Sequence, residues 1–325
     1  MEIRSFSLQE KTEWEDAVFA TPHTTYQSWN YCNALQKSQS VPIEMLRIHT
    51  NDSGLIAIYC KRSKDNSNYD IYSPYGFGGI LFWGNQHEWI TKAFESWLLQ
   101  HNIITAYLMA HPVIGSEYNE LIPHRTSFVL DLTRSEEELW QGLGSGHKYD
   151  LKKIIKDSAI SITDDKREIM EALPSLYNNT LNRVGATDAY YFNEATLKDL
   201  AFDEYTMVLG AKINGTIHAI IMINYVESVA EYFINATDEV GRNLTRLLLW
   251  DGIKRLKANQ VKMFNLGGGA QEGDQLEAFK RRMGGKQVSI PIFKKIVDVF
   301  QYNKLCEQFG NDPNDTSYFP SYWKK

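Results

Sequence analysis

Only three cysteines occur in the 325 residues, Cys32, Cys60 and Cys306. They lie far apart with no paired spacing, which argues against a disulfide framework and a four-thiolate zinc site. The eight histidines make no HExxH or comparable metal spacing, and no GxSxG elbow is present, so metal-dependent and covalent-nucleophile enzymes are disfavoured. Long hydrophobic runs are missing too. The longest apolar stretch, 217–225, contains His218 and Asn224 and falls well short of the roughly 20 residues that cross a bilayer. Positive charge is not in excess: 34 Lys and Arg stand against 40 Asp and Glu, a net charge of −6. That rules out attachment to nucleic acid or membrane by bulk charge and leaves room for a local basic cleft. No apolar leader core follows Met1, and the expectation is a soluble, cytoplasmic protein.

What is present suffices for a sizeable core. The chain is 43% hydrophobic and 13% aromatic, and its length suggests two domains. The order of elements runs twice. The first pass has helical periodicity over 8–19 and 27–36, then two β-rich runs, 43–49 and 55–61, around a turn at Asn51-Asp52-Ser53-Gly54. A strand at 69–72, a helix at 87–100 and strands at 105–110 and 127–132 follow. The second pass opens with helices over 135–157 and 166–183. It continues with a hairpin, 206–213 and 216–225, closed by Asn214-Gly215, a strong hairpin turn signal. A strand at 230–235, a helix at 243–258, a strand at 261–266, a helix at 274–283 and a strand at 288–293 complete it. Ser135, followed by Glu136, Glu137 and Glu138, marks a helix start after the seam near Thr133. The tail carries a helical pattern at 297–309 and then Tyr318, Phe319, Tyr322 and Trp323, aromatics expected to dock back on the first domain. The reading is a mixed-sheet α/β fold: a first domain at 1–133 completed by 294–325, and a second at 134–293.

Four stretches can carry chemistry. In the first, glycines at 142, 144 and 146 precede His147, and Lys148, Lys152 and Lys156 recur at four-residue spacing with Leu151, Ile154 and Ile155 opposite. Backbone N–H groups there suit an anion, and the plain alternative is a solvated lysine face. The second runs from Asn265 through Gly267, Gly268 and Gly269 to Asp274 and a short helix. Its glycines let backbone approach a ligand after a strand end, without a dinucleotide or P-loop spacing. On that helix Leu276, Phe279 and Met283 form an apolar stripe beside Lys280, with Arg281 following. In the third, Tyr75, Gly76 and Phe77 alternate aromatic and small residues after a strand, a wall for a sugar or flat group, or else a plain turn. The fourth is Arg183 at a helix end near Tyr191, placed either to grip an anion or to cap the helix.

Asn265-Leu266-Gly267-Gly268-Gly269, Asp274-Gln275-Leu276, Phe279-Lys280 and Gly284 resemble the signature of Fem-type (FemABX-like) aminoacyltransferases, within the broad GNAT-fold acyltransferases. The 143–156 segment is similar to the basic helix opening their second domain, and the 73–79 turn to a first-domain turn. The resemblance implies two tandem GNAT-like domains, the first on the acceptor side and the second on the donor and catalytic side, with the C-terminal tail returning to the first. It implies transfer of an aminoacyl or acyl group to an amine of a cell-envelope precursor, a peptide or amino sugar. Aminoacyl-tRNA or acyl-CoA then serves as co-substrate, with no bound cofactor and no metal. It sets Lys280 at the transfer centre with Phe279 beside it. Asp274 orients the loop or acts as base. Tyr75, Gly76, Phe77, Arg183, Tyr191, Gly267, Gly268 and Gly269 bind substrate, while His147, Lys148, Lys152 and Arg281 hold donor phosphates. Ordinary GNAT acetyltransferases carry a Q/R-x-x-G-x-G/A loop, whereas the 238–244 loop here has one glycine, so acetyl-CoA is expected to bind weakly or not at all. Alternatives are an acetyl-CoA-dependent N-acetyltransferase acting on a surface-polysaccharide amino sugar, and a non-catalytic RNA-binding or scaffold protein.

Overall fold

The computed structural model describes every residue except Gln86, Glu117 and Lys325, and leaves the side chains of His87 and Ala189 undescribed. Among the described residues are thirteen strands and ten α-helices in a mixed α/β fold. The chain divides into two compact units. Unit 1 comprises Met1–Gln36, Ser40–His124 and Ile290–Lys325; unit 2 comprises Arg125–Ser289 with Lys37–Gln39.

Unit 1 runs β1 (Glu2–Ser7), α1 (Lys11–Phe19), α2 (Trp29–Gln39), β2 (Ile43–His49), β3 (Gly54–Arg62), β4 (Tyr69–Tyr72), β5 (Ile80–Trp83), α3 (His87–Gln100), β6 (Ile103–Met109) and the start of β7 (Ile122–Asp131). Strands β1, β2, β3 and β4 pair antiparallel in turn, and β4 then pairs parallel with β6. Its core gathers Leu46, Ile48, Tyr59, Phe82, Phe94 and Phe293.

Unit 2 contains α4 (Glu136–Gly142), α5 (Ser145–Ile155), β8 (Ile160–Thr163), α6 (Lys166–Val184), α7 (Glu194–Phe202), β9 (Thr206–Ile213), β10 (Thr216–Val226), β11 (Val229–Thr237), α8 (Thr245–Ala258), β12 (Met263–Asn265), α9 (Gln275–Arg282) and the start of β13 (Lys286–Ile296). The order strand, two helices, antiparallel strands, helix, parallel strand is thus the order of unit 1 over again. The closing strands are exchanged. In unit 2, β12 pairs antiparallel with β7, the last strand of the first repeat. In unit 1, β6 pairs antiparallel with β13, the last strand of the second.

Local chemistry explains the elements that the pattern foretold. Asn214 (φ 50°) and Gly215 (φ 86°) close β9 and β10 with both turn residues left-handed, the geometry that suits the twist of a tight hairpin. The Ser135 Oγ accepts from the Glu138 N–H at 3.2 Å while Glu138 Oε2 accepts from the Ser135 N–H at 2.8 Å, a full capping box on α4. The helix expected over 135–157 is instead two helices. Leu143 and Gly144 take extended backbone angles, and the Gly144 N–H donates to Arg282 O at 2.7 Å, which ties the break to the end of α9.

The C-terminal tail returns to unit 1. Following α10 (Val299–Gln308), Tyr322 packs with Tyr302, Leu305, Cys306 and Ile104, and Phe319 lies 5.9 Å from Tyr107. Tyr318 stays 44% exposed, so three of the four tail aromatics dock.

Candidate active site in unit 2

The parallel seam of unit 2 opens at one point. β11 and β12 are paired from Val229↔Met263 to Glu231↔Asn265, where the ladder ends. Past it, β11 continues along β10 as far as Ala219↔Thr237, with a bulge near Tyr232. The chain leaving β12 stays with β7 instead: the Leu266 N–H donates to Phe128 O at 2.8 Å, and the Phe128 N–H to Gly267 O at 3.2 Å. The two strands therefore part at their carboxyl ends, where parallel sheets bind ligands.

A buried polar chain fixes the apex of this fork. Ser127 Oγ donates to Asn265 Oδ1 at 2.5 Å, Asn265 Nδ2 donates to Glu231 Oε2 at 2.8 Å, and the Gly267 N–H returns to Asn265 Oδ1 at 2.9 Å. All three side chains are buried. They join β7, β11 and β12; Asn265 opens the glycine stretch marked in the sequence, while Ser127 and Glu231 have no local spacing that links them to it.

From the apex the chain enters the glycine loop. Gly267 has φ +73°, and a Cβ on Gly268 would lie 2.1 Å from Thr126 O, so backbone passes there that no side chain permits. Gly268→Ala is expected to cost about 1–3 kcal/mol from the forced backbone shift. Thermal unfolding beside Gly146→Ala, where the added methyl meets nothing within 4 Å, measures it.

Helix α9 turns an unexpected face inward. Its buried residues are Glu277 and Lys280, while Leu276 is 43% exposed and Phe279 half-buried. The apolar stripe expected of Leu276, Phe279 and Met283 is thus only partly realised: Met283 is buried, but Leu276 faces solvent. Asp274 starts the helix and ties it to the loop. As N-cap it accepts from the Glu277 N–H at 2.8 Å with Oδ1, and from the Ala270 and Gln271 N–H groups at 2.7 and 3.1 Å with Oδ2. Burial pushes its pKa up, yet these backbone donors outweigh burial and hold the carboxyl below its usual range. Such a carboxylate is a poor proton acceptor and a good loop anchor.

Lys280 is 5% exposed, and its Nζ donates to Gly268 O at 2.5 Å. Burial pulls its pKa down to about 8, against the opposing pull of Asp274 and Glu277. Next to it, the Phe279 ring lies 5.2 Å from that of His147, on the first turn of α5. His147 is buried and its pKa falls to about 4, chiefly by desolvation, with Arg246 and Arg282 adding repulsion. Lys280, Phe279, Asp274, Gly267, Gly268, Gly269 and His147 thus gather around one strand end.

The other residues singled out from sequence lie elsewhere. Lys148 donates to Gln141 O at 3.2 Å, an end cap for α4, and Lys152 is exposed. Arg281 is exposed, stacked 5.2 Å over Phe128 and bonded to Gln287 at 3.1 Å. Ile155, expected on the buried side of α5, is 56% exposed. Arg183 donates to Thr237 O at 2.9 Å and Thr237 Oγ1 at 2.8 Å, which clamps the end of β11 to α6. Tyr191 donates to Asn182 Oδ1 at 2.8 Å. In unit 1, Tyr75, Gly76 and Phe77 are half-buried, and the turn packs on Tyr26: a Cβ on Gly76 would lie 2.5 Å from that ring. Tyr31 donates its hydroxyl to Tyr75 O at 3.0 Å. Among the described residues no cluster of His, Cys, Asp and Glu is arranged to hold a metal, and no helix is long and apolar enough to cross a membrane.

No known family profile matches the sequence, and no curated protein matches it either. Solved structures do match. FemX superposes with a TM-score of 0.68 at 12% identity, covering 93% of this chain and 99% of FemX. The C-terminal DUF2156 domain of a putative lysylphosphatidylglycerol synthetase from Agrobacterium fabrum gives 0.57 at 11% identity, covering 88% and 92%. The L-PGS of Bacillus licheniformis gives 0.56 at 10% identity, covering 87% and 91%. With its repeated element order, its exchanged closing strands and its tail returned to unit 1, the chain has the fold of FemX.

Proposed function

We propose that the protein is a Fem-type acyltransferase. It moves an aminoacyl group, delivered as aminoacyl-tRNA, or another activated acyl group to an amine of a cell-envelope precursor, a peptide or amino sugar. The observation that carries this reading is Lys280, a buried cation at the mouth of an opened parallel seam with its ammonium on the Gly268 carbonyl. The amine attacks the acyl carbonyl, the C–N bond forms, and the tetrahedral oxyanion collapses with loss of the donor's oxygen or sulfur. The proton released by the amine ends on that leaving group. A buried ammonium offsets the developing oxyanion, and no protein nucleophile is required. Phe279 and His147 wall the approach, and Asp274 holds the loop. Similarity in fold to FemX and to the lysylphosphatidylglycerol synthetases is consistent with such chemistry.

Wild-type protein incubated with aminoacyl-tRNA or acyl-CoA and with peptide or amino-sugar acceptors, followed by mass spectrometry, tests the reading. Absence of a product from every pair would leave a binding or scaffold role.

The acetyl-CoA alternative is disfavoured by the loop before α8. The Gly241 N–H, where a pyrophosphate would be received, already donates to Asp238 Oδ1 at 2.8 Å, and Asp238 Oδ2 lies 2.7 Å from His218. A Cβ on Gly241 would also fall 1.9 Å from His218 O, so the glycine serves packing. A carboxylate on that amide repels phosphate. Calorimetric titration with acetyl-CoA is expected to give no binding below millimolar concentration, and a micromolar constant would promote the acetyltransferase reading.

A further inference from the structure

Glu277 is a buried carboxylate with no part in the chemistry so far. It stands one turn before Lys280 on the inner face of α9 and is 7% exposed. Both side chains follow the glycine loop. A Cβ on Gly267 would lie 3.2 Å from Lys280 Nζ, and one on Gly269 would lie 2.7 Å from Glu277 Cγ. Those two glycines flank Gly268, so their Cα atoms are about 7 Å apart at most. The two charges do not cancel by contact. Lys280 Nζ rests on Gly268 O, and Glu277 Oε2 accepts from the Gly273 N–H at 2.9 Å. Glu277 Oε1 has neither a hydrogen-bond donor nor a cation in reach among the described residues. The neighbouring acids are otherwise placed. Asp274 turns both oxygens on backbone N–H groups, Glu231 holds Asn265, and Glu272 is exposed. Capping alone does not account for Glu277. At this third helical position a glutamine accepts a backbone N–H as a glutamate does, and it avoids burying a charge.

We propose that Glu277 is the proton carrier of the transfer reaction, taking a proton from the attacking amine and handing it to the leaving group. The inference rests on the acyl-transfer reading above and extends it, because that reading ends the proton on the leaving group without a carrier. The acceptor nitrogen attacks the acyl carbon and forms the C–N bond, and the carbonyl oxygen takes negative charge beside Lys280. The nitrogen then passes one proton to Glu277 Oε1, the oxygen that has no partner of its own. As the oxyanion collapses, the C–O or C–S bond to the donor breaks, and Glu277 delivers that proton to the departing oxygen or sulfur. The residue ends the cycle as a carboxylate, and no protein group is acylated. Lys280 thus meets the charge that develops on oxygen, and Glu277 meets the charge that develops on nitrogen. A positioned base of this kind contributes on the order of 10²–10⁴ in rate.

The test sets two kinds of nucleophile against the same donors. Wild type, Glu277→Gln and Glu277→Asp are given alanyl-tRNA, glycyl-tRNA or acetyl-CoA. The acceptor is Nα-acetyl-lysine methylamide, glucosamine or hydroxylamine, and products above the uncatalysed background are counted by mass spectrometry. Glu277→Gln keeps an acceptor for the Gly273 N–H, so its thermal unfolding should match wild type. With the amine acceptors it should lose about 10²-fold or more in kcat/KM. Hydroxylamine forms a more acidic adduct that sheds its proton to water, so the loss there should be at least about tenfold smaller. Glu277→Asp, one methylene shorter, should fall between glutamine and wild type. Wild-type turnover of the amine acceptors by Glu277→Gln overturns the proposal. So does an equal loss with both kinds of nucleophile, which marks a residue that only shapes the site. If Glu277→Gln fails to fold, Glu277→Asp decides by the same comparison. Wild type that forms no product with any nucleophile from any donor removes the acyl-transfer reading, and the proton carrier falls with it.

Discussion

Lys280→Ala is expected to lose most of kcat, on the order of 10²–10³-fold, in a protein that remains folded. The side chain lies at the end of the glycine loop with its charge on a backbone carbonyl, a position from which it reaches a reacting oxygen and braces little else. Lys280→Arg should recover only part of the rate, since a guanidinium spreads its charge over a wide fork. Substituting Arg281, which is exposed on the outside of α9, should act instead on donor affinity in a salt-dependent way. Turnover of the three variants on one donor–acceptor pair decides it. Wild-type turnover in the alanine variant ends the catalytic assignment.

The pH profile separates an ammonium from an amine base. With its pKa near 8, Lys280 is mostly charged at neutral pH and loses that charge as pH rises. A kcat that falls above about pH 8 marks the ammonium, one that rises marks a base, and the residual rate of Lys280→Arg should lack the fall. Stability carries the same signature. The folded value lies below the ordinary 10.5, so the unfolded chain holds the proton more tightly. The penalty is therefore full below about pH 8 and fades as pH rises toward 10.5. Lys280→Met is expected to gain up to about 3 kcal/mol at neutral pH, less whatever the abandoned Gly268 carbonyl costs. The gain should shrink through that window in urea titrations.

The contrast between legible and illegible parts of the chain has a physical basis. The hairpin of β9 and β10 was readable because alternation and an Asn-Gly turn lie within one local window. β1 and β8 escaped notice because four of six residues in β1 are exposed and β8 has only four residues, so neither shows a buried period. α7 was missed although Asn193 caps it, its Oδ1 accepting from the Thr196 N–H at 2.8 Å. At the site, the glycine loop and Lys280 were visible as a motif, whereas the rotation of α9 was not. Periodicity puts Leu276 inward with Lys280 beside it, whereas the structure buries Glu277 along with Lys280 and leaves Leu276 exposed. The Ser127, Asn265 and Glu231 chain was invisible because it is assembled from three strands distant in sequence. On α5 the lysine stripe was legible, but Lys148 proved to be a cap and Lys153 its replacement on the exposed face.

Asp70→Asn is expected to destabilise unit 1 by about 2–4 kcal/mol, the range for a buried charge that loses its donors. Asp70, on β4, is 2% exposed. Its Oδ1 accepts from Thr105 Oγ1 at 2.6 Å and from the Tyr322 hydroxyl, and its Oδ2 accepts from Trp323 Nε1 at 2.6 Å. Arg62 lies at the edge of ion-pair reach, 4.0 Å from Oδ2, with its guanidinium 4.5 Å over the Trp323 ring. The site thus presents donors to both carboxylate oxygens, and an amide supplies one acceptor and turns an NH₂ toward the other donor. Burial, reinforced by the neighbouring carboxylate, pushes the Tyr322 hydroxyl far above its ordinary pKa, so it remains a donor across the working range. Removing residues 321–325 deletes the two tail donors and uncovers Tyr302, Leu305, Cys306 and Ile104, so a loss at least as large is expected. Because both changes break the same contacts, combining them should cost clearly less than their sum. Urea unfolding of the two single variants and the double measures the coupling. Additive losses would mean that Asp70 holds β6 alone, and that the tail is fastened by its apolar contacts without the carboxylate.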